Sequence, residues 1–413
     1  MNNSKKITAF GMLVIIVVCM SGYIQLANTA LIKLGFIPST QAETALLEDT
    51  KSVETTVNSE KVSRYQAFLK LKDSIEGKFN QIAFKTTFVE ANGWLCKVIG
   101  VRYETAVNNV GRHTIRLNNN HLTVISDEPY EKIDIHAHRV VSFYEKLKDR
   151  GIEFFYVGQP LKVSPYDNQL PDGIFDCSNS EGDIFLNVLE QENVPYVDLR
   201  KEIQMSGIDH YSMFFRTDHH MTTEGGFWAA GVVMNKFLPQ YKHGDIDFYD
   251  INNYDITVYE NSFLGSHGRR TGALYAGIDD FSLLTPRFDT NLSVTRPHEK
   301  EGELGSFAEM AITDSPLKDE LYLRDMRQMY IPGSAGVHVR NTNGNGKKCL
   351  VIGDSLAHLV FPFMALDFSE TDRYDARSGG GTAMEYIDEF QPDVVVMMYY
   401  PHILSVPEMF VFE

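Results

Sequence analysis

Cysteine, tryptophan and basic residues are scarce in this sequence of 413 residues. It has four cysteines, two tryptophans, and 38 lysine and arginine residues against 55 aspartate and glutamate residues, so the formal net charge is -17. Neutralising nucleic-acid phosphates needs clustered basic side chains, and no segment of this sequence provides them. The sequence therefore predicts no nucleic-acid partner.

The few cysteines also limit disulfides and metal sites. Cys19 lies in an apolar N-terminal run, which leaves Cys96, Cys177 and Cys349 for the rest of the chain. Three cysteines cannot all pair. Cys349 opens an apolar stretch and is most simply a buried small side chain, so Cys96 and Cys177 form the one plausible pair. No CxxC or HExxH motif occurs, and we predict neither a metal nor a cofactor.

A long run without charges stands near the N-terminus. Residues 7–27 carry no charged side chain, and Lys5 and Lys6 precede them. The run is long enough for a helix to cross the roughly 30 Å hydrocarbon layer, and its basic flank predicts that residues 1–6 are cytoplasmic. A cleaved signal peptide is the alternative, but Asn28 to Ala30 is a poor cleavage site. We predict a single-pass cell-membrane anchor with the remainder of the chain extracytoplasmic.

The segments that follow this anchor differ in composition. Residues 28–59 are rich in threonine, serine, glutamate and alanine, which predicts a stalk or linker. Residues 60–413 predict a catalytic domain, in whose first part Trp94 to Val98 and Leu122 to Ile125 resemble strands. Residues 240–345 are rich in glycine, proline, aspartate and asparagine, and we predict an irregular insertion there. An insertion of this length in a compact domain is usually functional.

Helical and strand patterns alternate from Val140 onwards. Val140, Phe143 and Leu147 have helical spacing, and short apolar strand patterns follow them in the sequence. Two runs, Leu350 to Ile352 and Asp393 to Tyr400, are apolar almost throughout, as expected of strands that are buried on both faces. This alternation predicts an α/β fold with a parallel sheet that is covered by helices on both faces.

Two stretches contain the residue types of a nucleophilic active site. One is the tripeptide Asp218, His219 and His220 before a helix, and the other is a Gly-Asp-Ser turn that ends at Ser355 between a strand and a helix. The backbone N–H of such a serine lies at a helix N-terminus, where developing negative charge is stabilised. His220 can act as the base toward Ser355 if Asp218 holds its other ring nitrogen, whereas we expect His219 to point elsewhere.

Each motif also has an interpretation that involves no catalysis. The Asp-His-His tripeptide could bind a metal, and Gly-Asp-Ser tripeptides occur by chance in turns. Asp134, His136 and His138 resemble a metal ligand set, but residues i and i+2 do not face each other on a helix, which favours a solvated helix face. Arg269 could bind a substrate carboxylate or merely fix the insertion in place.

The ordered set of motifs resembles the DHHW-motif proteins, which are similar to the alginate O-acetylation proteins of the SGNH hydrolase-like superfamily. The resemblance covers about residues 60–413. It implies an SGNH hydrolase-like three-layer sandwich with a parallel central sheet, circularly permuted so that aspartate and histidine precede serine. It is carried by Asp218-His219-His220, Gly265 to Arg270 with Tyr275 and Asp279-Asp280, Gly353-Asp354-Ser355, Phe361-Pro362-Phe363, and Asp375-Ala376-Arg377.

The same resemblance implies an activity. It assigns Asp218, His220 and Ser355 as the triad of an O-acyltransferase, usually an O-acetyltransferase, whose acceptor is a cell-surface or secreted polysaccharide. A membrane acyl-transfer protein is the implied partner that delivers the acyl group. The alternatives are a carbohydrate esterase of the same class, which gives the acyl group to water, and a non-catalytic glycan-binding or assembly protein.

Two positions depart from the family pattern. Met221 stands where the motif has tryptophan, and Met398-Tyr399-Tyr400 stands where typical SGNH enzymes supply an asparagine donor. We therefore predict an oxyanion hole that is formed by the N–H groups of Ser355 and Gly379, with the hydroxyl of Tyr399 as a third donor.

Overall fold

The structure is a computed structural model that describes residues 85–104, 113–378 and 381–413. The predicted membrane anchor and the predicted stalk lie outside these residues, and both stay predictions. None of the helices in the described ranges combines the length and the apolar composition that are needed to span a bilayer.

The described helices and strands are numbered here in chain order. The α-helices are α1 Lys85–Ile99, α2 Ile133–Asp149, α3 Ser178–Gln191, α4 Leu199–Ser206, α5 Thr223–Val232, α6 Ser266–Thr271, α7 Ala273–Ala276, α8 Phe307–Met310, α9 Phe361–Met364 and α10 Ala383–Phe390. The strands are β1 Tyr103–Glu104, β2 His113–Arg116, β3 Leu122–Ile125, β4 Glu153–Gly158, β5 Tyr196–Asp198, β6 Tyr254–Phe263, β7 Asp279–Pro286, β8 Leu292–Thr295, β9 His338–Asn341, β10 Lys348–Gly353, β11 Glu370–Tyr374 and β12 Val394–Tyr399.

A seven-stranded sheet forms the centre of the domain. Its strand order is β5-β4-β12-β10-β11-β9-β8. The strands from β5 to β11 in this order run parallel, and β9 and β8 add an antiparallel edge. The predicted α/β fold with a mostly parallel central sheet is therefore confirmed.

Helices cover both faces of this sheet because the central strands are apolar on both sides. In β10, Cys349 and Val351 belong to the core that contains α5 and α9, whereas Leu350 and Ile352 belong to the core that contains α2, α3 and α10. A strand whose successive side chains point to opposite faces needs an apolar partner on each face. The all-apolar sequence of β10 thus requires the layered arrangement that is observed.

Residues 240–345 contain more regular structure than their composition indicates. Strands β6 and β7 pair with each other antiparallel, and β8 and β9 extend the central sheet through β11. Much of the predicted irregular insertion therefore belongs to the sheet and its cover. The predicted boundaries of the insertion and of the domain stay predictions.

The first described helix corrects one strand assignment. Trp94 to Val98 lies inside α1, not in a strand. A short run of bulky apolar residues fits either element, and here tertiary packing decides. A Cβ atom on Gly93 would lie 2.0 Å from the carbonyl oxygen of Thr271, so the missing side chain lets α1 pack directly on α6. The prediction of a strand at Leu122 to Ile125 is correct, since this segment is β3.

Cys96 and Cys177 do not form the disulfide that the cysteine count allowed. Cys177 and Cys349 are free thiols, so Cys96 and Cys177 are not joined to each other. Cys349 is fully buried in β10, and burial raises the pKa of its thiol far above the usual value. It is the buried small hydrophobe that the sequence predicts.

Candidate active site

The structure brings Asp218, His220 and Ser355 together at the carboxyl ends of the parallel strands. The hydroxyl oxygen of Ser355 lies 2.8 Å from Nε2 of His220. On the other side of the same ring, Nδ1 is hydrogen-bonded to a carboxylate oxygen of Asp218. Clefts at this edge of an α/β sheet are the usual place for ligands, and the contacts have the order of a Ser-His-Asp triad.

The serine is held by the turn that follows β10. The buried carboxylate of Asp354 accepts hydrogen bonds from the N–H groups of Leu356, at 2.8 Å, and Tyr400, at 3.0 Å. The guanidinium of Arg373 donates to the carbonyl oxygen of Asp354 at 2.6 Å. Burial raises the pKa of Asp354 to about 7, although its two N–H donors act in the opposite direction. The turn is thereby tied to β11 and β12 on either side of Ser355.

The backbone N–H of Ser355 meets one requirement of an oxyanion donor. Ser355 is the first residue of a 3-10 helix, Ser355–Leu359, and no described residue accepts a hydrogen bond from its N–H. A free N–H at this position can stabilise an oxyanion next to the serine. The second predicted donor, Gly379, lies outside the described residues. The third, Tyr399, needs correction, because its buried hydroxyl donates to the carbonyl of Met409 at 3.0 Å.

Glycine allows the two halves of the site to approach each other. The side chain of Thr222 accepts a hydrogen bond from the N–H of Gly225 at 3.1 Å and so caps α5. A Cβ atom on Gly226 would lie 2.3 Å from the carbonyl oxygen of Leu359. The first turn of α5 therefore packs against the helix that begins at Ser355, which explains why the histidine reaches the serine.

The motif around Gly265 supports the aspartate. The carboxylate of Asp218 accepts hydrogen bonds from the N–H groups of Ser266, at 2.5 Å, and His220, at 3.0 Å. A Cβ atom on Gly265 would lie 2.3 Å from the Cβ of Asp218, so a larger residue cannot occupy this position without displacing the aspartate. The glycine and serine of this motif thus have a direct physical function beside the triad.

Asp279 supports the same loop from another side. Its carboxylate accepts hydrogen bonds from the N–H groups of Arg216, at 3.0 Å, and Thr217, at 2.8 Å, and from the Thr217 hydroxyl at 2.6 Å. The same hydroxyl accepts a hydrogen bond from the N–H of Gly265 at 2.8 Å. Thr217 and Asp279 are about 60 residues apart in the sequence. The motifs that contain them nevertheless support the same loop, which carries Asp218.

A buried lysine that sequence reasoning missed completes this support. Lys162 is 1% exposed, and its ammonium group donates to the carbonyl oxygens of Leu122 and Phe215, each at 2.6 Å, and to that of Asp218. Burial lowers the pKa of Lys162 to about 7, while Asp218 and Asp279 favour its charged form. The sequence shows only a lysine between two apolar residues, which carries no signal of this role.

The electrostatics keep the base neutral and the acid ionised. Burial lowers the pKa of His220 well below its usual value, and the nearby positive charge of Arg327 acts in the same direction. Burial would raise the pKa of Asp218, but the adjacent histidine rings and Arg327 outweigh it and hold that pKa well below the usual range. Arg327 forms a two-point ion pair with Asp325, at 2.9 and 2.6 Å. No pattern in the sequence indicates a role for either residue.

His219 does not point away from the site as expected. Its ring centroid lies 3.8 Å from that of His220, and its Nδ1 lies 3.4 Å from a carboxylate oxygen of Asp218 and 3.3 Å from the Ser266 hydroxyl. The prediction was wrong because the loop curls around the aspartate. The two consecutive histidines therefore both contact that carboxylate.

The same three residues also have the spacing of a metal site. One ligand atom from each of Asp218, His219 and His220 lies within 4.8 Å of the others. However, both ring nitrogens of His220 are engaged, one by Asp218 and the other by Ser355. A metal on His220 would have to replace one of these contacts, so the donor arrangement fits a hydrogen-bonded triad better. The absence of a metal and of a cofactor remains a prediction.

The remaining candidates lie apart from the triad contacts. His136 is buried, binds the carbonyl of Leu404 through Nδ1 at 2.7 Å and stacks on Phe410, whereas His138 is exposed. The Asp134-to-His138 segment is therefore neither a ligand set nor a wholly solvated face. Arg269 is half-buried on α6, and its side chain makes no hydrogen bond or ion pair with the described residues, so its binding role stays a prediction.

Part of the chain is similar in sequence to an SGNH hydrolase-like domain. Residues 125–249 match the family model described as "SGNH hydrolase-like domain, acetyltransferase AlgX". This range includes Asp218 and His220 and ends before Ser355. The predicted resemblance to the alginate O-acetylation and DHHW-motif proteins is confirmed. The comparison with curated protein sequences gives no match.

Solved structures share the fold at low sequence identity. PatB1 from Bacillus cereus is 21% identical with a TM-score of 0.58, and the match covers 73% of this chain and 100% of that chain. The same protein with a sulfonyl adduct is 20% identical, with a TM-score of 0.58 and coverages of 74% and 100%. A DHHW family protein from Eubacterium siraeum is 19% identical, with a TM-score of 0.55 and coverages of 74% and 95%.

Proposed function

We propose that this chain is an O-acyltransferase, with acetyl as the acyl group and a cell-surface or secreted polysaccharide as the acceptor. The observation that carries the proposal is the 2.8 Å contact between the Ser355 hydroxyl and His220, whose other ring nitrogen is bonded to Asp218. The match to a family described as acetyltransferase AlgX supports the choice of acetyl transfer.

The first step is acylation of Ser355. A serine hydroxyl is a weak nucleophile at neutral pH and needs an adjacent base. His220 is neutral, so its Nε2 can take the hydroxyl proton while the serine oxygen attacks the acyl carbonyl of the donor. The bond from the acyl carbon to the leaving group breaks, and His220 returns the proton to that group. Asp218 stabilises the imidazolium that forms in between.

The negative charge that develops on the carbonyl oxygen needs hydrogen-bond donors. The free N–H of Ser355 provides one of them, and we propose the N–H of Gly379 as the second. Such donors are commonly worth a factor of about 100 to 1,000 each in the rate of the chemical step. The support by Asp354 and Arg373 matters here, because it fixes the N–H relative to the hydroxyl of the same residue.

The second step decides between the transferase and the alternatives. In a transferase, a polysaccharide hydroxyl gives its proton to His220 and takes the acyl group from Ser355. In an esterase, water does so. A non-catalytic glycan-binding or assembly protein would need neither step and would tolerate Ser355→Ala. The same triad geometry serves both enzymes, so the acceptor distinguishes them.

We also propose where the reaction occurs. Residues 7–27 would anchor the chain in the cell membrane, residues 28–59 would form a stalk, and the catalytic domain would face outward. A membrane acyl-transfer protein would then deliver the acyl group. The order in which Asp218 and His220 precede Ser355 would reflect a circularly permuted SGNH three-layer sandwich. N-terminal sequencing of the mature protein tests the anchor, since a start near Leu31 would indicate cleavage.

The direct test of the chemistry is covalent labelling of the full-length chain in detergent. Incubation with p-nitrophenyl acetate should place an acetyl group on the Ser355 peptide, which mass spectrometry can identify. A sulfonyl fluoride should label the same peptide, by analogy with the structure of PatB1 that contains a sulfonyl adduct. Ser355→Ala should abolish both labels. An active preparation that never carries a label at Ser355 would refute the acyl-enzyme.

A further inference from the structure

His219 is the exposed member of the histidine pair. Its side chain is 25% exposed, whereas that of His220 is 5% exposed and that of Asp218 is fully buried. Ser355 is also partly exposed. The ring centroid of His219 lies 3.8 Å from that of His220, whose Nε2 contacts the serine hydroxyl, so the partly exposed imidazole of His219 adjoins the catalytic pair.

The ring of His219 is oriented with one nitrogen inward and the other outward. Nδ1 faces the Ser266 hydroxyl at 3.3 Å and the carboxylate of Asp218 at 3.4 Å. The two nitrogens lie on opposite sides of an imidazole, so Nε2 points away from these groups. Among the described residues, no group is hydrogen-bonded to Nε2. The Ser266 hydroxyl and the ionised carboxylate can both accept a hydrogen bond from an Nδ1 that carries the proton, and Nε2 is then left as an acceptor.

The surroundings of His219 keep its imidazole neutral. Burial lowers its pKa to about 4, together with Arg327, Lys162 and Arg270, and against the opposing effect of Asp218. The ring centroid of His267, which is 2% exposed, lies 5.5 Å from that of His219. The open acceptor of His219 therefore remains available at neutral pH.

The geometry points to His219 as the group that binds a second hydroxyl of the acceptor, next to the hydroxyl that receives the acyl group. The inference rests on the proposed acyl transfer. The reacting hydroxyl gives its proton to Nε2 of His220 while its oxygen bonds to the acyl carbon. The neighbouring hydroxyl donates a hydrogen bond to Nε2 of His219. The bond from the acyl carbon to Ser355 then breaks, and His220 returns the proton to the serine oxygen.

This arrangement selects acceptors with two adjacent free hydroxyls. Water and simple alcohols can use His220 but offer no second hydroxyl to His219. One neutral hydrogen bond corresponds to a preference of about threefold to tenfold. The preferred ligand class is thus a vicinal diol, which sugar rings provide, and the selection acts on the second half-reaction.

The experiment compares two simple acceptors on the full-length chain in detergent. The chain is acylated with p-nitrophenyl acetate, and the products formed with cis-1,2-cyclohexanediol and with cyclohexanol are measured at equal concentration, together with the initial burst of p-nitrophenol. His219→Phe keeps an aromatic ring against His220 but removes both nitrogens, and His219→Gln keeps an acceptor. His138→Phe on the exposed face of α2 is the matched control.

We expect the wild type and His138→Phe to acylate the diol, per hydroxyl group, about three to ten times as fast as the alcohol. His219→Phe should lose this preference, with a larger loss in diol transfer than in the burst, and His219→Gln should restore part of it. The inference is overturned if the wild type shows no preference, if His219→Phe keeps it, or if burst and transfer fall equally. Failure of the wild type to label Ser355 would instead overturn the proposed function.

Discussion

Two histidine-aspartate pairs in this molecule behave in opposite ways. In the candidate site, His220 binds Asp218 through Nδ1 and faces Ser355 with Nε2. At the antiparallel edge of the sheet, Nδ1 of His338 on β9 lies 2.5 Å from a carboxylate oxygen of Asp372 on β11. The pKa of His220 is lowered far below its usual value, whereas that of His338 is raised.

Burial and neighbouring charges produce this difference. The side chain of His220 is 5% exposed and lies near Arg327, so both desolvation and the positive charge disfavour its protonation. The side chain of His338 is 31% exposed, and its hydrogen bond to Asp372 outweighs desolvation. The same two residue types therefore give a neutral base in one place and a readily protonated imidazole in the other. A histidine-aspartate contact alone does not indicate a base.

The largest expected effect comes from breaking the pair in the candidate site. Asp218→Asn should slow acylation of Ser355 by about three to four orders of magnitude, because an amide favours the wrong histidine tautomer. Asp372→Asn is the matched control and should change the rate by less than about twofold. The measurement is the burst of p-nitrophenol from p-nitrophenyl acetate. Equal effects of the two substitutions would refute the proposed role of Asp218.

The next effect concerns Lys162, which supports the loop of the pair in the candidate site. Lys162→Met should lower the free energy of unfolding by about 2 to 4 kcal/mol, because it leaves several buried carbonyls without a donor. The folded-state pKa of about 7 lies below the usual 10.5, so the unfolded chain binds more protons between these values. Wild-type stability should therefore gain about 1 kcal/mol per pH unit over that interval from this residue.

Denaturant unfolding of the wild type and Lys162→Met at pH 7, 8 and 9 measures both quantities. The difference in stability between the two proteins should widen as the pH rises. Lys201→Met, a substitution of an exposed lysine on α4, is the control. A constant difference across this range would mean that the lysine remains fully charged in the folded protein.

The sequence allowed prediction of the features that depend on local pattern. The apolar run of β10 requires burial on both faces, and the following Gly-Asp-Ser turn must then lie at the edge of the sheet. The Asp-His-His tripeptide lies directly before a helix with a threonine cap. These local signals were sufficient to predict the sheet and to place Ser355, His220 and Asp218 among the candidates.

The rest depends on contacts that no local pattern contains. Lys162 binds backbone carbonyls of β3 and of the loop before His220, and carbonyls leave no trace in a sequence. Arg327 lies more than 100 residues from His220, so its effect on that histidine could not be predicted. Tyr399 lies in strand β12, as the apolar pattern predicts. Side chains alternate between the two faces of the sheet along a strand, and the hydroxyl of Tyr399 therefore faces Met409. The segment from Trp94 to Val98 is helical because it packs against α6 as part of α1.

Removing the positive charge of Arg327 near His220 should bring the pKa of His220 closer to that of His338. We consider Arg327→Gln together with Asp325→Asn, because a single substitution would leave a buried unpaired charge. Without Arg327, protonation of His220 becomes easier and its pKa rises. A base works only when it is unprotonated, so the acid-side decline of the acylation rate should move to higher pH, by up to about one unit.

The pH profile of the burst rate between pH 4 and 8 measures this shift. The rate on the neutral plateau should change less than the position of the decline. The conservative variant Arg327→Lys keeps the charge and should leave the decline near its wild-type position. A double variant with an unchanged decline would show that burial alone, and not Arg327, lowers the pKa of His220.

The smallest expected effect lies in the second pair. Because the pKa of His338 is raised in the folded protein, the pair contributes stability that is fully present below about pH 6.5 and is lost as the pH rises through the folded-state value. The partial exposure of His338 limits this contribution to about 0.5 to 1 kcal/mol. His338→Gln should therefore destabilise the protein more at pH 5.5 than at pH 8.5, with the burst rate at Ser355 unchanged. Denaturant unfolding at the two pH values measures the difference.

Tyr386, whose hydroxyl donates to the other oxygen of Asp372 at 2.7 Å, offers a second probe. Tyr386→Phe removes a donor that competes with His338 for the carboxylate charge, so it should increase the pH dependence. If His338→Gln lowered the free energy of unfolding equally at both pH values, this would contradict a raised pKa of His338. The two pairs would then differ only in the burial of His220.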